Sequence, residues 1–487
     1  LYIKISMIII SITAFTACSD DFVNVDSNDV TSEDFFNSEE DYQNALIGAY
    51  DLLQSTWINA MLGEIASDNT LAGGESATDV IGIQEIDDMI HTPVNNDLRG
   101  IWGLMFAGIN RTNFILEFQD KIDFSGKNQI IAQARFLRAY YYFELVKWFG
   151  DVPLAIDKQI LFGEESSYER SPASEVYSLI EQDLMFASDN LPSVQTEAGR
   201  VTKGAAQALL GKAYLYQDKF SEAAQVLEAL IQSGTYSLVT DYNTIFEEDG
   251  ENNVESVFEI QYTDVEGAGF GCLQCSEGNV AVGFSGIRNY EGPDFTSGFS
   301  FNVPVQEAYD AFDNDDQRRD IAILDINAWA ASTGATFGTG NEHTGYFNRK
   351  YIPRTRSSNA LPDLNLTNPN NYRAIRYADV LLMAAEANSR GGLNESKAQD
   401  YLNQVRRRAF GDELHDVNAS GLSLTNAIYL ERRLELVGEG HRFFDLVRTG
   451  KAAQEINGFQ EGKHELFPIP AIEIQLAGNV WAQNPGY

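Results

Sequence analysis

The chain has 487 residues, 44% apolar and 11% aromatic, which is enough for a large core and unlike a disordered polymer. Its 71 acidic residues against 34 basic give a formal net charge of −37, which repels nucleic acid and other polyanions and favours neutral ligands.

Lys4 precedes an apolar run from Ile5 to Phe15, then Phe15-Thr16-Ala17-Cys18. The run is too short for a permanent span and reads as a secretory signal, residues 1–17. Small residues before a cysteine resemble a lipobox, so Cys18 is expected to be acylated and to become the mature N-terminus. Ser19-Asp20-Asp21 resembles the surface-export signal of Bacteroidetes lipoproteins, and residues 18–36 read as a flexible acidic leader. No other segment is expected to cross a membrane, so attachment is through the lipid alone.

Ser38-Glu39-Glu40-Asp41 caps a helix with Tyr42, Ala45, Leu46, Ala49, Tyr50 and Leu53 at three- and four-residue spacing. Residues 61–70 break that pattern, leaving Trp57 just past a helix end. A loop rich in Gly, Ser and Asp follows to about residue 96, and loops that long usually carry function. Helices are expected over 98–118 and 129–149, and another opens at Ser171-Pro172, with proline at its first position.

Residues 201–234 parse as two amphipathic helices around the turn Asp218-Lys219-Phe220-Ser221. Leu210-Gly211, Tyr214, Ala223, Leu227 and Leu230 fall at the offsets of a tetratricopeptide repeat. Gly211 and Ala223 let the helices approach, and Tyr214 and Leu227 fill the groove. One such hairpin cannot bury its apolar face alone, so others must stack on it. Three hairpins are expected between about 38 and 235.

Between about 236 and 370 the texture changes. Residues 256–262 alternate as a strand does, and 264–300 hold many glycines and aromatics without a helical period. Cys272 and Cys275 lack the further ligands of a zinc site and any βαβ context, which leaves a local disulfide or two free thiols. Ala328-Trp329-Ala330 sits in a Gly/Ser/Thr-rich stretch read as loop. Residues 372–388 and 397–410 make a fourth hairpin, 427–448 a single charged helix, and 427–487 a segment packed on the body. One domain is expected from 37 to 487.

Several stretches together resemble the SusD/RagB family of Bacteroidetes outer-membrane lipoproteins. They are Asn110-Arg111-Thr112-Asn113; Gln133-Ala134-Arg135-Phe136-Leu137-Arg138-Ala139 with Phe149-Gly150-Asp151-Val152-Pro153; and Arg376-Tyr377-Ala378-Asp379. Glu431-Arg432-Arg433 through Gly440-His441-Arg442-Phe443-Phe444-Asp445-Leu446, and Phe467-Pro468-Ile469-Pro470 through Gln483-Asn484-Pro485-Gly486-Tyr487, complete the set. The resemblance covers nearly the whole chain. It implies a mainly α fold: a solenoid of four tetratricopeptide-like hairpins packed against a large, loop-rich part with short strands. It also implies a non-catalytic, outward-facing lipoprotein that binds a glycan as the lid of a SusC-like, TonB-dependent transporter, with no cofactor.

The charged motifs read as structural: Arg432, Arg433, Glu435, Arg442, Asp445, Asp379 and Glu386 are expected to form buried ion pairs. Asp249-x-Glu251-x-Asn253 and Asp313-x-Asp315-x-Gln317 hint at calcium loops but lack glycine at the sixth position. Chance carboxylate pairs are inevitable in so acidic a chain, and no nucleophile elbow, P-loop or His-Glu-x-x-His occurs.

Sugar rings need flat apolar surfaces with polar groups around their hydroxyls. Trp102, Trp148 and Trp481 fall on packed faces. Trp329 has no apolar period to explain it and is the first candidate platform, with Trp57 second. By region, the family's glycan site maps onto the loop after Asp68-Asn69 and the segment 284–302. That adds Asp68 and Asn69 for hydroxyl contacts, with Tyr290 and Phe301. A neutral, laminarin-type β-glucan is the expected ligand; a peptide-binding relative and a glycoside hydrolase are the alternatives.

Overall fold

The computed structural model describes residues 35–487 except 274, 275, 355 and 360. The signal peptide, Cys18 and nearly all of the leader therefore lie outside the described residues. So does Cys275, while Cys272 is disulfide-bonded.

Helix α1 (Glu39–Asp51) begins as its sequence dictates: the Ser38 hydroxyl accepts from the Asp41 N–H while the Asp41 carboxylate accepts from the Ser38 N–H at 2.8 Å. The first half of the stretch expected to break the pattern, residues 61–65, instead belongs to α2 (Trp57–Ile65), all but one of its residues buried, and the helix stops before residue 66. Burial on every side left no polar face to mark the helix. Short α3 (Ile81–Asp87) interrupts the long loop. The stack then runs through α4 (Asn96–Glu117), α5 (Lys127–Phe149), α6 (Ala173–Asn190), α7 (Lys203–Leu215) and α8 (Phe220–Gln232), each lying against the next. In the α7–α8 hairpin a Cβ on Gly211 would sit 2.5 Å from Leu227 Cδ2, so only glycine allows this approach.

The loop-rich part supplies short pieces between α8 and the return of the stack. Strand β2 (Ser256–Ile260) is followed by α9 (Val280–Ser285), β3 (Phe301–Pro304), β4 (Ile323–Asp325), α10 (Ile326–Thr333) and β5 (Tyr346–Asn348). Residues expected to begin a helix form β6 (Tyr372–Arg376), antiparallel to β2 with Ser256 opposite Arg376. Further ribbons join β4 to β5, the early strand β1 (Thr70–Gly73) to β3, and, within the stack, residues 152–153 to 170–171.

Helix α11 (Tyr377–Arg390) docks on α8 and on α12 (Glu395–Phe410), continuing the stack. The single helix expected over 427–448 is two, α13 (Gly421–Leu436) and α14 (Arg442–Arg448). The turn between them carries Gly438 (φ 80°) and Gly440 (φ 83°), a left-handed backbone that glycine adopts freely. Trp102, Trp148 and Trp481 are buried as expected. No described helix is long and apolar enough to cross a membrane.

A buried ionic network cross-links these parts. Glu435 accepts from Arg318 and Arg376, at 2.8 Å each, and from Arg408; Glu439 accepts from Arg376 and Lys350 at 2.7 Å. Glu431 binds Arg318 and Arg406, at 2.7 and 2.8 Å. Asp379 binds Arg432 at 2.7 Å and Lys212 at 3.2 Å, and Arg448 grips both oxygens of Glu386. Burial alone would lift the Glu435 carboxyl, but Arg408, Arg376, Arg318 and Lys350 hold it well below the usual range. Asp87 is the opposite case. Burial pushes its carboxyl up to about 7, against the opposing hydrogen bond from Ala72 N–H, with Glu342 and Asp88 adding repulsion.

Two outcomes follow for stability. Glu435→Gln leaves buried cations short of charge and should cost about 3–5 kcal/mol in urea unfolding at pH 7. Asp123→Asn, at the exposed Lys127–Asp123 pair, should cost less than about 1 kcal/mol. Because the folded-state pKa of Glu435 is depressed, its contribution is full above the unfolded value and fades as pH falls below about 4. Asp87 has the reverse sign: its raised pKa brings a penalty that grows from about pH 4 to 7. Asp87→Asn should therefore raise the thermal midpoint at pH 8 and leave it unchanged near pH 4.

Candidate functional site

The two regions singled out by the sequence meet. Thr70 pairs with Pro304, Leu71 with Val303 and Gly73 with Phe301, so the β1–β3 ribbon lays the loop after Asn69 beside the 284–302 segment. Gly74 N–H donates to Ser300 O at 2.8 Å, and Asn341 N–H to Gly74 O at 2.9 Å, which draws in the 334–345 loop. That loop is also tied to the 284–302 segment by the Glu291–Thr336 bridge and by Gly338 N–H donating to Arg288 O.

Trp329 lies on helix α10, not in a loop. The Asp325 carboxylate caps α10 by accepting from Ala328 N–H at 2.9 Å, and Gly334 closes it in the left-handed conformation. The indole N–H donates to the Tyr290 hydroxyl at 2.9 Å, which in turn donates to Pro293 O at 2.7 Å. The indole packs against Phe295 at 5.3 Å between centroids, over a small core of Ile287, Leu324, Ile326, Phe347 and Ile352. Trp329 stays half-buried, while Tyr290 and Phe295 are buried. Burial raises the Tyr290 pKa, opposed by the bond from Trp329, so the hydroxyl remains protonated and able to donate. Exposed Asn289, Asp294 and Thr336 flank this pair. Phe295 was missed by the sequence reading, since one phenylalanine among many carries no signal of what it supports.

The other candidates lie elsewhere. Trp57 is buried at the start of α2, 5.9 Å from Phe284, which packs on buried Phe301 at 5.1 Å. Phe284 also meets Phe299, and Phe299 meets Phe270, whose ring is mostly exposed on a Gly-rich loop. Asp68 is held by Arg442 at 2.7 and 2.8 Å and by Arg433 at 3.2 Å. Asn69 is fully buried: its amide oxygen accepts from Arg433 at 2.8 Å and its amide nitrogen donates to Glu64 at 3.1 Å. Both residues face the α13–α14 arginines and fix the base of the loop. A groove of about 380 Å³ beside them is lined by Asp68, Asp87, Asp88, Glu307, Glu342 and Glu455, with Arg433 as its one cation.

Comparison with known proteins bears on both the fold and the site. Residues 254–465 match the model described as the SusD family, and residues 21–215 the model described as starch-binding associating with outer membrane. The chain is 29% identical to SusD-like protein P2 of Formosa agariphila over 99% of both chains. A solved laminarin-binding SusD-like protein is 36% identical, with a TM-score of 0.84 over 93% of this chain and all of that one. Surface glycan-binding protein A of Bacteroides thetaiotaomicron, solved with laminarihexaose, is 29% identical with a TM-score of 0.79 over 92% of this chain and 99% of its own. With this likeness running through helical stack and loop-rich part alike, the chain belongs to the SusD family.

Proposed function

We propose that this protein binds a neutral glycan, a laminarin-type β-glucan, on the surface built around Trp329, without cleaving it. The observation that carries the reading is the indole itself. Its N–H is fixed by Tyr290 and its ring is braced on Phe295, yet it stays partly open to solvent between two loops. A flat apolar ring held in place suits the C–H face of a pyranose and needs no rearrangement on binding. The exposed amide, carboxylate and hydroxyl of Asn289, Asp294 and Thr336 are suited to sugar hydroxyls. Asp68 and Asn69, committed to arginines, serve by holding the loop base. Relatives named for laminarin and laminarihexaose support the choice of a β-glucan. In this reading the protein is tethered at the outer membrane through Cys18, faces the exterior, and hands the glycan to a SusC-like, TonB-dependent transporter.

Affinity electrophoresis should show retardation in a laminarin gel, and incubation with labelled laminarihexaose should release no shorter product. Retardation confined to anionic gels, or steady product release, would overturn the reading. Trp329→Ala should weaken binding at least tenfold while the protein still unfolds in one cooperative transition, at a somewhat lower midpoint; full affinity in that variant removes this surface as the site. Tyr290→Phe, which deletes the acceptor for the indole N–H, should weaken binding by a smaller factor, about fivefold for roughly 1 kcal/mol.

A further inference from the structure

Two of the stretches that mark the family, residues 110–113 on α4 and 133–139 on α5, take no part in the Trp329 surface. Three of their side chains grip one loop, residues 155–163, between α5 and α6. Asn110 donates to Ile160 O and accepts from Ile160 N–H, both at 2.9 Å. Asn113 donates to Ala155 O at 3.0 Å and to Lys158 O at 3.1 Å. Arg138 donates to Ile156 O at 2.7 Å and to Asn113 Oδ1 at 2.9 Å, while its other nitrogens hold both oxygens of Asp183 on α6, at 2.7 and 2.9 Å. Asn113, Arg138 and Asp183 are almost completely buried, so the stack commits a desolvated charge pair to fixing the carbonyls of this loop. What the loop carries outward is apolar. Glu164 N–H donates to Leu161 O at 2.9 Å, closing a tight turn with Phe162 and Gly163 at its centre, Gly163 in the left-handed region at φ 90°. Phe162 is 89% exposed and Leu161 55%, with Ile156 48% exposed on the same loop.

We propose that the Leu161–Phe162 turn is a docking knob that enters an apolar socket, rimmed by basic side chains, on a protein partner. The partner is the transporter of the proposed function, and the assignment rests on that reading. A ring left in water adds nothing to the fold, whereas its burial in a socket is worth as much as that of a core side chain. Exposed loops are ordinarily mobile. This one is held at Ala155, Ile156, Lys158 and Ile160, so little freedom is lost when its tip is bound. The charges around the tip select the partner. Asp157, Glu164, Glu165 and Glu169 flank it in the sequence, and the one lysine among them, Lys158, lies 3.6 Å from Glu164. Anionic lipid headgroups would be repelled, and so would a second copy of a chain that carries −37. An apolar socket with a basic rim answers both features, the ring and the acids around it. The turn lies on the helical stack and Trp329 on the loop-rich part, so docking and glycan binding use different parts of the chain.

The test uses the full chain in the outer membrane of cells that produce it. After mild detergent extraction, the tagged wild-type chain should co-purify a TonB-dependent barrel identified by mass spectrometry. Phe162→Ser should lower the yield of that barrel at least tenfold, and Phe162→Leu should keep most of it. Because the ring lies in solvent, Phe162→Ser should leave the thermal midpoint and the retardation in a laminarin gel unchanged. A benzophenone maleimide on Phe162→Cys reports what the tip touches, with the wild type treated alike to show any labelling of the native cysteines. Illumination of whole cells should give an adduct with the same barrel. No adduct, or one with lipid or with a second copy of the chain, overturns the proposal, and so does loss of laminarin retardation in Phe162→Ser. A wild-type chain that brings down no barrel sinks the hand-over and this docking site together. Full recovery of the barrel with Phe162→Ser sinks the docking site alone.

Discussion

The interaction on which the rest depends is the buried meeting of carboxylates and guanidinium groups at the end of α13. Removing charges from water costs more than a simple ion pair returns, so such a cluster persists only where each charge has several partners. Here the condition is met. Arg376 bridges Glu255, Glu435 and Glu439, and Arg318 bridges Asp316, Glu431 and Glu435, all almost completely buried. Bidentate, branched contacts of this kind fix direction as well as distance, which apolar packing does not. The cluster therefore sets the register between helices and loops.

That register is what the loop-rich part lacks on its own. Its strands have three to five residues, and its ribbons only two strands each, too little to be stable in isolation. Arg318 and Lys350 reach from it into the α13 cluster, and Asp68 and Asn69 reach from the other side to Arg433 and Arg442. Loops held at both ends can present an aromatic ring in one orientation. If Trp329 on α10 meets the glycan as proposed, little freedom would remain to be lost on binding, as in other preorganised sites.

What was legible in the sequence follows from how far apart the determining contacts lie. The Ser38 cap, the Gly211–Leu227 close approach and the α11–α12 hairpin depend on residues within a few turns of one another, and all were read correctly. Helix α2 and helix α10 were missed for opposite reasons: one is buried all round, the other is eight residues long in a composition typical of loops. Asp68 and Asn69 looked like free polar groups because their arginine partners lie more than 360 positions away. The charged residues of the last helices were read as structural, and they are. The two regions brought together by the β1–β3 ribbon were found by resemblance to a family, since strands of four residues carry no period to detect.

The network also bears on the kind of ligand that the proposed surface would admit. Many of the chain's arginines and lysines are neutralised in the interior, Arg318, Arg376, Arg432, Lys212 and Lys350 in the network and Arg138 outside it, each beside a buried carboxylate. Internal pairs cancel in place, so the excess of acid behind the charge of −37 must sit on the outside. Around the Trp329 surface it does: Glu75, Glu291, Asp294 and Glu342 are exposed, while Arg288 lies 3.7 Å from Glu75 and Arg354, over the Phe295 ring, is paired with Glu247. A sulfated or uronic chain approaching this face would meet repulsion at close range as well as at a distance. An uncharged sugar would meet none, and on the proposed function its hydroxyls would have acceptors in the same carboxylates that turn anions away.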